Sequence, residues 1–309
     1  MHFRSHAAVL MLCLASCDEE GSVGAGVGGA GGAGTGASSS SGPGGGSSGG
    51  AGGSANGGGA QGDAGAGGAA PCAGLVSAAA TTDESVDVNG ATRTYVLAIP
   101  VPLDGSSAVP LIFGFHGFGG TGDAASQYFG LTGTEPAVYA YPQALPLPGQ
   151  NGGIGWDMEA DGVDIAFIDA LVAKLSAEHC IDPARVFAAG HSHGASFSNH
   201  LGCYRPELLR AIAPVAGGGP WAGECTGSVS AMLTHGAADG DVPISNGIGS
   251  RDHWLEANGC AGAASSPAEP APCVVYDGCS EPVLWCEHAG GHEWPDFAGS
   301  GIRGFFLSF

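Results

Sequence analysis

Positive charge is scarce. Eight Lys and Arg residues stand against 29 Asp and Glu, for a formal charge of −21, and Lys174 is the single lysine. A footprint on phosphate needs clustered basic side chains, and the arginines here are scattered one at a time, so no nucleic-acid partner is expected. Such a charge speaks to solubility and choice of partner rather than fold, and it leaves neutral substrates such as esters, glycosides or peptides open. A membrane-spanning run is missing as well. The N-terminal apolar stretch, residues 7–14, is under half of the roughly 20 residues that cross a bilayer. Bulky side chains are missing from residues 21–70, which are roughly half glycine with no apolar residue larger than Val. That stretch has almost nothing to bury against the entropy of ordering it and reads as a flexible tether.

The first twenty residues, MHFRSHAAVLMLCLASCDEE, place Arg4 before a short apolar run and then small residues before a cysteine. They read as a signal peptide over residues 1–16. Leu14-Ala15-Ser16-Cys17 resembles the lipobox of bacterial lipoproteins, which makes Cys17 a candidate lipid anchor and residues 17–71 its Gly/Ala/Ser-rich linker. The expected placement is then the cell envelope, outside the cytoplasm, with membrane contact through the lipid alone. An ordinary secretory signal is the alternative. Residues 72–309 remain, enough for one well-buried domain and short for two.

Of the ten cysteines, Cys13 falls in the signal and Cys17 at the anchor. The other eight, Cys72, Cys180, Cys203, Cys225, Cys260, Cys273, Cys279 and Cys286, are an even set, as expected of disulfides in an oxidising compartment. No pair among them has the short spacing of a structural zinc site, and no metal is expected.

From residue 92 onward, short β-branched and aromatic runs at 95–99, 111–115 and 138–141 are each closed by Pro or Gly and read as strands. The period then changes: Ile165, Ile168, Leu171, Val172 and Leu175 recur at helical spacing, with Asp161 or Asp164 as the expected N-cap. Asp182-Pro183 breaks that helix. A strand at 186–189 leads through Gly190-His191-Ser192-His193-Gly194 into a second helix, and further apolar runs follow at 211–216, 231–234 and 283–286. Ile302, Phe305, Phe306 and Leu307 suggest a final helix. Alternating elements with strands apolar along their length imply an α/β fold, a mostly parallel sheet with helices on both faces.

Gly190-x-Ser192-x-Gly194 fits the nucleophile elbow, a tight strand-to-helix turn that projects a serine from the top of a sheet. In so glycine-rich a chain the pattern recurs by chance, centred on Ser47 and Ser48 in the tether, but only Ser192 lies between a strand and a helix. The elbow asks for an acid and then a histidine, each in a loop after a strand. After 231–234 come Asp239 and Asp241, and after 283–286 comes Gly290-Gly291-His292; His253 and His288 also follow the acid, but His288 sits in or beside a strand and reads as a packed or surface residue, whereas His292 follows two glycines in a loop that can reach the serine. Oxyanion donors are expected from the His193 N–H and from the turn His116-Gly117-Phe118-Gly119-Gly120. The His191-x-His193 pair is explained by the elbow and not by a metal.

Together with Tyr141-Pro142-Gln143, Ile181-Asp182-Pro183-x-Arg185-Val186, Ala213-Pro214-Val215-Ala216-Gly217, His235-Gly236-x-x-Asp239-x-x-Val242-Pro243 and Gly291-His292-x-Trp294-Pro295, these motifs resemble the α/β-hydrolase family of polyhydroxybutyrate depolymerases, feruloyl esterases and acetyl xylan esterases. The resemblance covers nearly all of residues 92–309. It implies Ser192 as nucleophile, Asp239 rather than Asp241 as acid, His292 as base, and Phe118 and His193 as oxyanion donors. Phe118 departs from the cysteine or smaller residue common in relatives. The disulfides Cys72–Cys180 and Cys203–Cys225 lean on the same resemblance. It further implies a serine carboxylesterase that needs no cofactor and acts on a small or oligomeric ester, of feruloyl type ahead of polyhydroxybutyrate or acetyl xylan. Trp156 and Trp294 are candidate stacking surfaces for substrate. The reading from outside enzymology is a surface lipoprotein that keeps the fold only for binding.

Overall fold

In a computed structural model, residues 72, 74–221, 225, 227–260 and 264–309 are described. The signal peptide, Cys17 and the tether expected at residues 17–71 lie outside the described residues. The elements run β1 (Ala80–Val88), β2 (Ala91–Ile99), β3 (Val109–Phe115), α1 (Gly122–Tyr128), β4 (Val138–Pro142), β5 (Leu145–Pro146), β6 (Ile154–Gly155), α2 (Val163–Glu178) and β7 (Ile181–His191). Then follow α3 (His193–Tyr204), β8 (Ala211–Val215), β9 (Ser230–Gly236), α4 (Ile244–Ala257), β10 (Ser265–Pro267), β11 (Val274–Tyr276), β12 (Val283–His288) and α5 (Ala298–Leu307).

Ten strands form one sheet in the order β1-β2-β4-β3-β7-β8-β9-β12-β11-β10. The six from β4 to β12 are parallel, and antiparallel pairs close both ends. Alternate residues of each central strand face opposite sides. In β3, Leu111, Phe113 and Phe115 face a core shared with Ile165, Ile168 and Leu171 of α2, Phe197 of α3 and Trp254 of α4. Ile112 faces the other way, with Phe187 and Ala189, toward Ala125 of α1 and Ile302 and Phe306 of α5. Both faces are therefore covered, which is why β3, β4, β8 and β9 are buried along their whole length.

The N-cap of helix α2 is Gly162, which has no side chain to cap with. Neither Asp161 nor Asp164 caps it as expected. Asp164 is instead fully buried, paired with Arg93 of β2 and accepting the Asp157 N–H at 2.7 Å. Four disulfides join Cys72 to Cys180, Cys203 to Cys225, Cys260 to Cys279 and Cys273 to Cys286. The first two are the pairs that the family resemblance implied.

Candidate active site

Between β7 and α3 the chain turns on Ser192, whose φ of 56° and ψ of −117° are unusual for any residue but glycine. The turn is tight enough to exclude side chains on both flanks. A Cβ on Gly190 would run into the Gly194 carbonyl, and one on Gly194 into the Phe115 carbonyl. The Ser192 N–H donates to the Val215 carbonyl at 2.9 Å, fixing the elbow to the end of β8.

The loop after β12 delivers His292 to this serine. Its Nε2 lies 2.8 Å from Ser192 Oγ and its Nδ1 lies 2.8 Å from Asp239 Oδ2, in the loop after β9. An ionised carboxylate only accepts, so Nδ1 carries the ring proton and Nε2 is left to accept from the serine hydroxyl. Asp239 is buried, and burial by itself raises a carboxyl pKa. Hydrogen bonds from the His292 ring and from the Val242 and Asp241 N–H groups outweigh that and hold it below its ordinary value. Asp241 is exposed and contributes only its N–H. Sequence reasoning missed His235, buried at the end of β9, whose Nε2 donates to the Val242 carbonyl at 2.9 Å and lies 3.4 Å from Asp239 Oδ2. Its place in the His235-Gly236 motif was the available signal.

Opposite the elbow, the turn after β3 comes so close that a Cβ on Gly117 would stand 3.3 Å from that of Ser192. His116 shapes this turn. Its buried ring accepts the Ala144 N–H at 3.2 Å through Nε2, so Nδ1 carries the proton and donates to the Gly117 carbonyl at 2.7 Å. Gln143 holds the same ring from its amide nitrogen at 3.3 Å, while its amide oxygen accepts the Gly122 N–H at 3.1 Å. The His193 N–H is the first of α3 and has no acceptor within the helix. Among the described residues, the Phe118 N–H also donates to no backbone group. Burial lowers the pKa of both elbow histidines, His191 and His193, to about 4, so both rings are neutral at pH 7.

The arrangement is that of a nucleophilic hydroxyl with an oriented base and two free N–H groups nearby. A probable feruloyl esterase C from Aspergillus clavatus is 31% identical over 221 residues, covering 67% of this chain and 78% of that protein. The chain belongs to the feruloyl esterase family of α/β-hydrolases. Feruloyl esterase C of Emericella nidulans is also 31% identical over 221 residues, 67% of this chain and 77% of that protein. No family model matches the chain. Among solved structures, an acetyl xylan esterase from Aspergillus awamori has a TM-score of 0.56 at 17% identity, over 73% of this chain and 99% of that one. A ferulic acid esterase from Anaeromyces mucronatus, solved with ferulic acid, has a TM-score of 0.51 at 15% identity, over 74% of this chain and 90% of that one. These two show the same fold.

Within this serine carboxylesterase the remaining candidates fall into different places. Trp156 is 1% exposed, packed between Phe115 and Phe197, and offers no surface to a substrate. The expectation of a stacking role for it is corrected: an indole whose N–H finds an acceptor is readily buried whole. Trp294 is half-buried, stacked on Phe129 at 4.0 Å and edge-on to His191 at 6.4 Å, beside the His292 loop. Phe118 is 52% exposed, with its ring edge-on to His193. Tyr128, 48% exposed and 3.4 Å from His191 Nδ1, adds a wall that the sequence did not announce. His288 is engaged with Gly290 and Glu293, and His253 packs on Trp254. Among the described residues, no cluster of three His, Cys, Asp or Glu side chains is arranged to hold a metal, and no helix is long and apolar enough to cross a membrane.

Proposed function

We propose that this chain is an exported esterase that cleaves feruloyl or closely related neutral esters, with Ser192 as nucleophile, His292 as base and Asp239 as the acid that orients it. The observation that carries the reading is the continuous pair of 2.8 Å contacts from Ser192 through His292 to Asp239. Four disulfides support export, and Cys17 is the proposed site of the lipid.

In the first step Ser192 Oγ bonds to the ester carbonyl carbon as its proton moves to His292 Nε2, and the carbonyl electron pair shifts to oxygen. The Phe118 and His193 N–H groups stabilise that oxyanion; removing one such donor typically costs about 2.7 to 4 kcal/mol of barrier. Collapse expels the alcohol oxygen, which takes the proton from His292 and leaves an acyl-serine. Water then repeats the sequence, losing its proton to His292, and releases the acid. Asp239 stays ionised throughout and stabilises the imidazolium.

The test is hydrolysis of methyl ferulate, acetylated xylan, a hydroxybutyrate oligomer and p-nitrophenyl acetate by the full chain and by Ser192→Ala. The parent is expected to prefer methyl ferulate, and the variant to fall by about a thousandfold or more. Preference for acetylated xylan would move the substrate to acetyl groups and keep the mechanism. An unchanged Ser192→Ala variant would remove the mechanism.

A further inference from the structure

We propose that Trp156 is a positioning residue for the oxyanion hole, clamping together the two segments that supply its donors. The inference rests on the reading of Ser192 as nucleophile given above, and it assigns to a fully buried side chain an effect on the rate of the chemical step.

The clamp has three hydrogen bonds on a three-residue segment. The Trp156 indole Nε1–H donates to the His116 carbonyl at 2.8 Å, at the entry to the turn that carries Phe118. Its main-chain N–H donates to His193 Nδ1 at 3.0 Å, on the residue whose own N–H is the second donor. Two residues earlier, the Ile154 carbonyl accepts the Gly119 N–H at 2.8 Å, holding the far side of the same turn. One segment thus grips the loop after β3 at both ends and the first residue of α3.

Its own position is fixed just as firmly. The indole stacks on Phe197 at 4.9 Å with 15° between the planes and meets Phe115 edge-on at 5.1 Å, so it has no room to tilt. The next residue, Asp157, donates its N–H to Asp164 Oδ2 at 2.7 Å. Asp164 is paired with Arg93, and Arg93 donates to the carbonyl of Gln143, whose amide nitrogen reaches the His116 ring. His116 is therefore held at its carbonyl by Trp156 and at its ring by Gln143, in one closed circuit of buried and partly buried polar groups. None of these bonds is made to Ser192, His292 or Asp239.

Oxyanion donors work at about 2.7–3.1 Å from the developing charge, and a shift of about 1 Å can cost on the order of a hundredfold in rate. Trp156→Phe keeps a ring in the core but leaves the His116 carbonyl without its donor. We expect kcat for methyl ferulate to fall about 10- to 100-fold, with KM within about threefold, because the ground-state ester leans less on the oxyanion donors than the tetrahedral state does. Affinity for a phenylboronic acid, which forms a tetrahedral adduct on serine, should fall in the same proportion. Phe306→Leu, a core truncation on the opposite face of the sheet, serves as the stability control and should leave both quantities within about threefold at a comparable loss of Tm.

The proposal is overturned if Trp156→Phe keeps kcat and boronate affinity, if it changes KM alone, or if Phe306→Leu lowers kcat and boronate affinity equally. Should Trp156→Phe fail to fold, His193→Ala decides. It removes the acceptor of the Trp156 N–H but keeps the backbone donor, and matched losses of kcat and boronate affinity support the clamp while unchanged values overturn it. A parent that neither turns over nor binds the boronate overturns the Ser192 reading and this inference with it. An active parent with an unaffected Trp156→Phe overturns the inference alone.

Discussion

Two carboxylates two residues apart end up with unlike roles, and the backbone decides between them. Asp239 Oδ1 collects the N–H groups of Asp241 and Val242, which turns Oδ2 toward His292. Asp241 takes the outer side of the same turn and is exposed. Asp239→Asn is expected to lower kcat by about 10⁴, since an amide no longer enforces the reactive tautomer of the histidine. Asp241→Asn should leave kcat within about threefold, because its carboxylate bonds to nothing in the site. Stopped assays on the two purified variants check this, and the reverse ranking would reassign the acid. The sequence announced an acid in this loop, but choosing between the two needed a family motif, because the closing hydrogen bonds of the turn leave no mark in composition or spacing. Trp156 shows the same limit. An indole reads alike whether tertiary packing leaves it at a cleft or seals it between Phe115 and Phe197.

At the level of elements, legibility followed burial. Strands β2, β3, β4, β7, β8, β9 and β12 and helices α2, α3 and α5 all overlap apolar runs or periodicities visible in the sequence. Strand β1 escaped because it lies on the sheet edge with most residues exposed, and within ATTDESVDV only Val86 and Val88 pack against the core. Helix α4 escaped because Trp254 is its one large, fully buried side chain: Gly247 and Ser250 carry no apolar signal, and Ile244, Ile248 and Leu255 are only partly buried. Helix α3 owes its place to glycines more than to propensity. Gly194→Ala should gain up to about 1 kcal/mol of helix propensity, yet the added methyl would meet the Phe115 carbonyl and stand 2.6 Å from that of His116. The clash is with backbone, so it outweighs the gain. Both a lower Tm and a near-complete loss of esterase activity are expected, and a variant with parental Tm and rate would show that the elbow has slack.

Taken whole, the molecule carries a charge of −21, and its response to acid depends on which groups titrate first. Burial holds His191 and His193 at about 4 in the folded protein, against an ordinary value near 6.5. Between those values the unfolded chain binds protons that the folded one refuses, so stability falls as pH drops from about 6.5 to about 4. At roughly 1.4 kcal/mol per pKa unit, each histidine contributes about 3 kcal/mol to that loss. Asp239 acts in the same direction lower down, its stabilising effect disappearing as pH falls through its depressed value. Relief of carboxylate self-repulsion works the other way, but it begins in earnest only near the ordinary carboxyl range of about 4. Urea midpoints should therefore be lower at pH 5 than at pH 7.5, and His191→Asn should flatten the slope; a midpoint unchanged between the two pH values would contradict this. The disulfides have a consequence of another kind. The Cys260–Cys279 and Cys273–Cys286 loops overlap, so together they span every peptide bond from Cys260 to Cys286, just upstream of His292. A protease that cuts this segment once leaves two polypeptides on a reducing gel but one covalent molecule in solution, with its general base still attached.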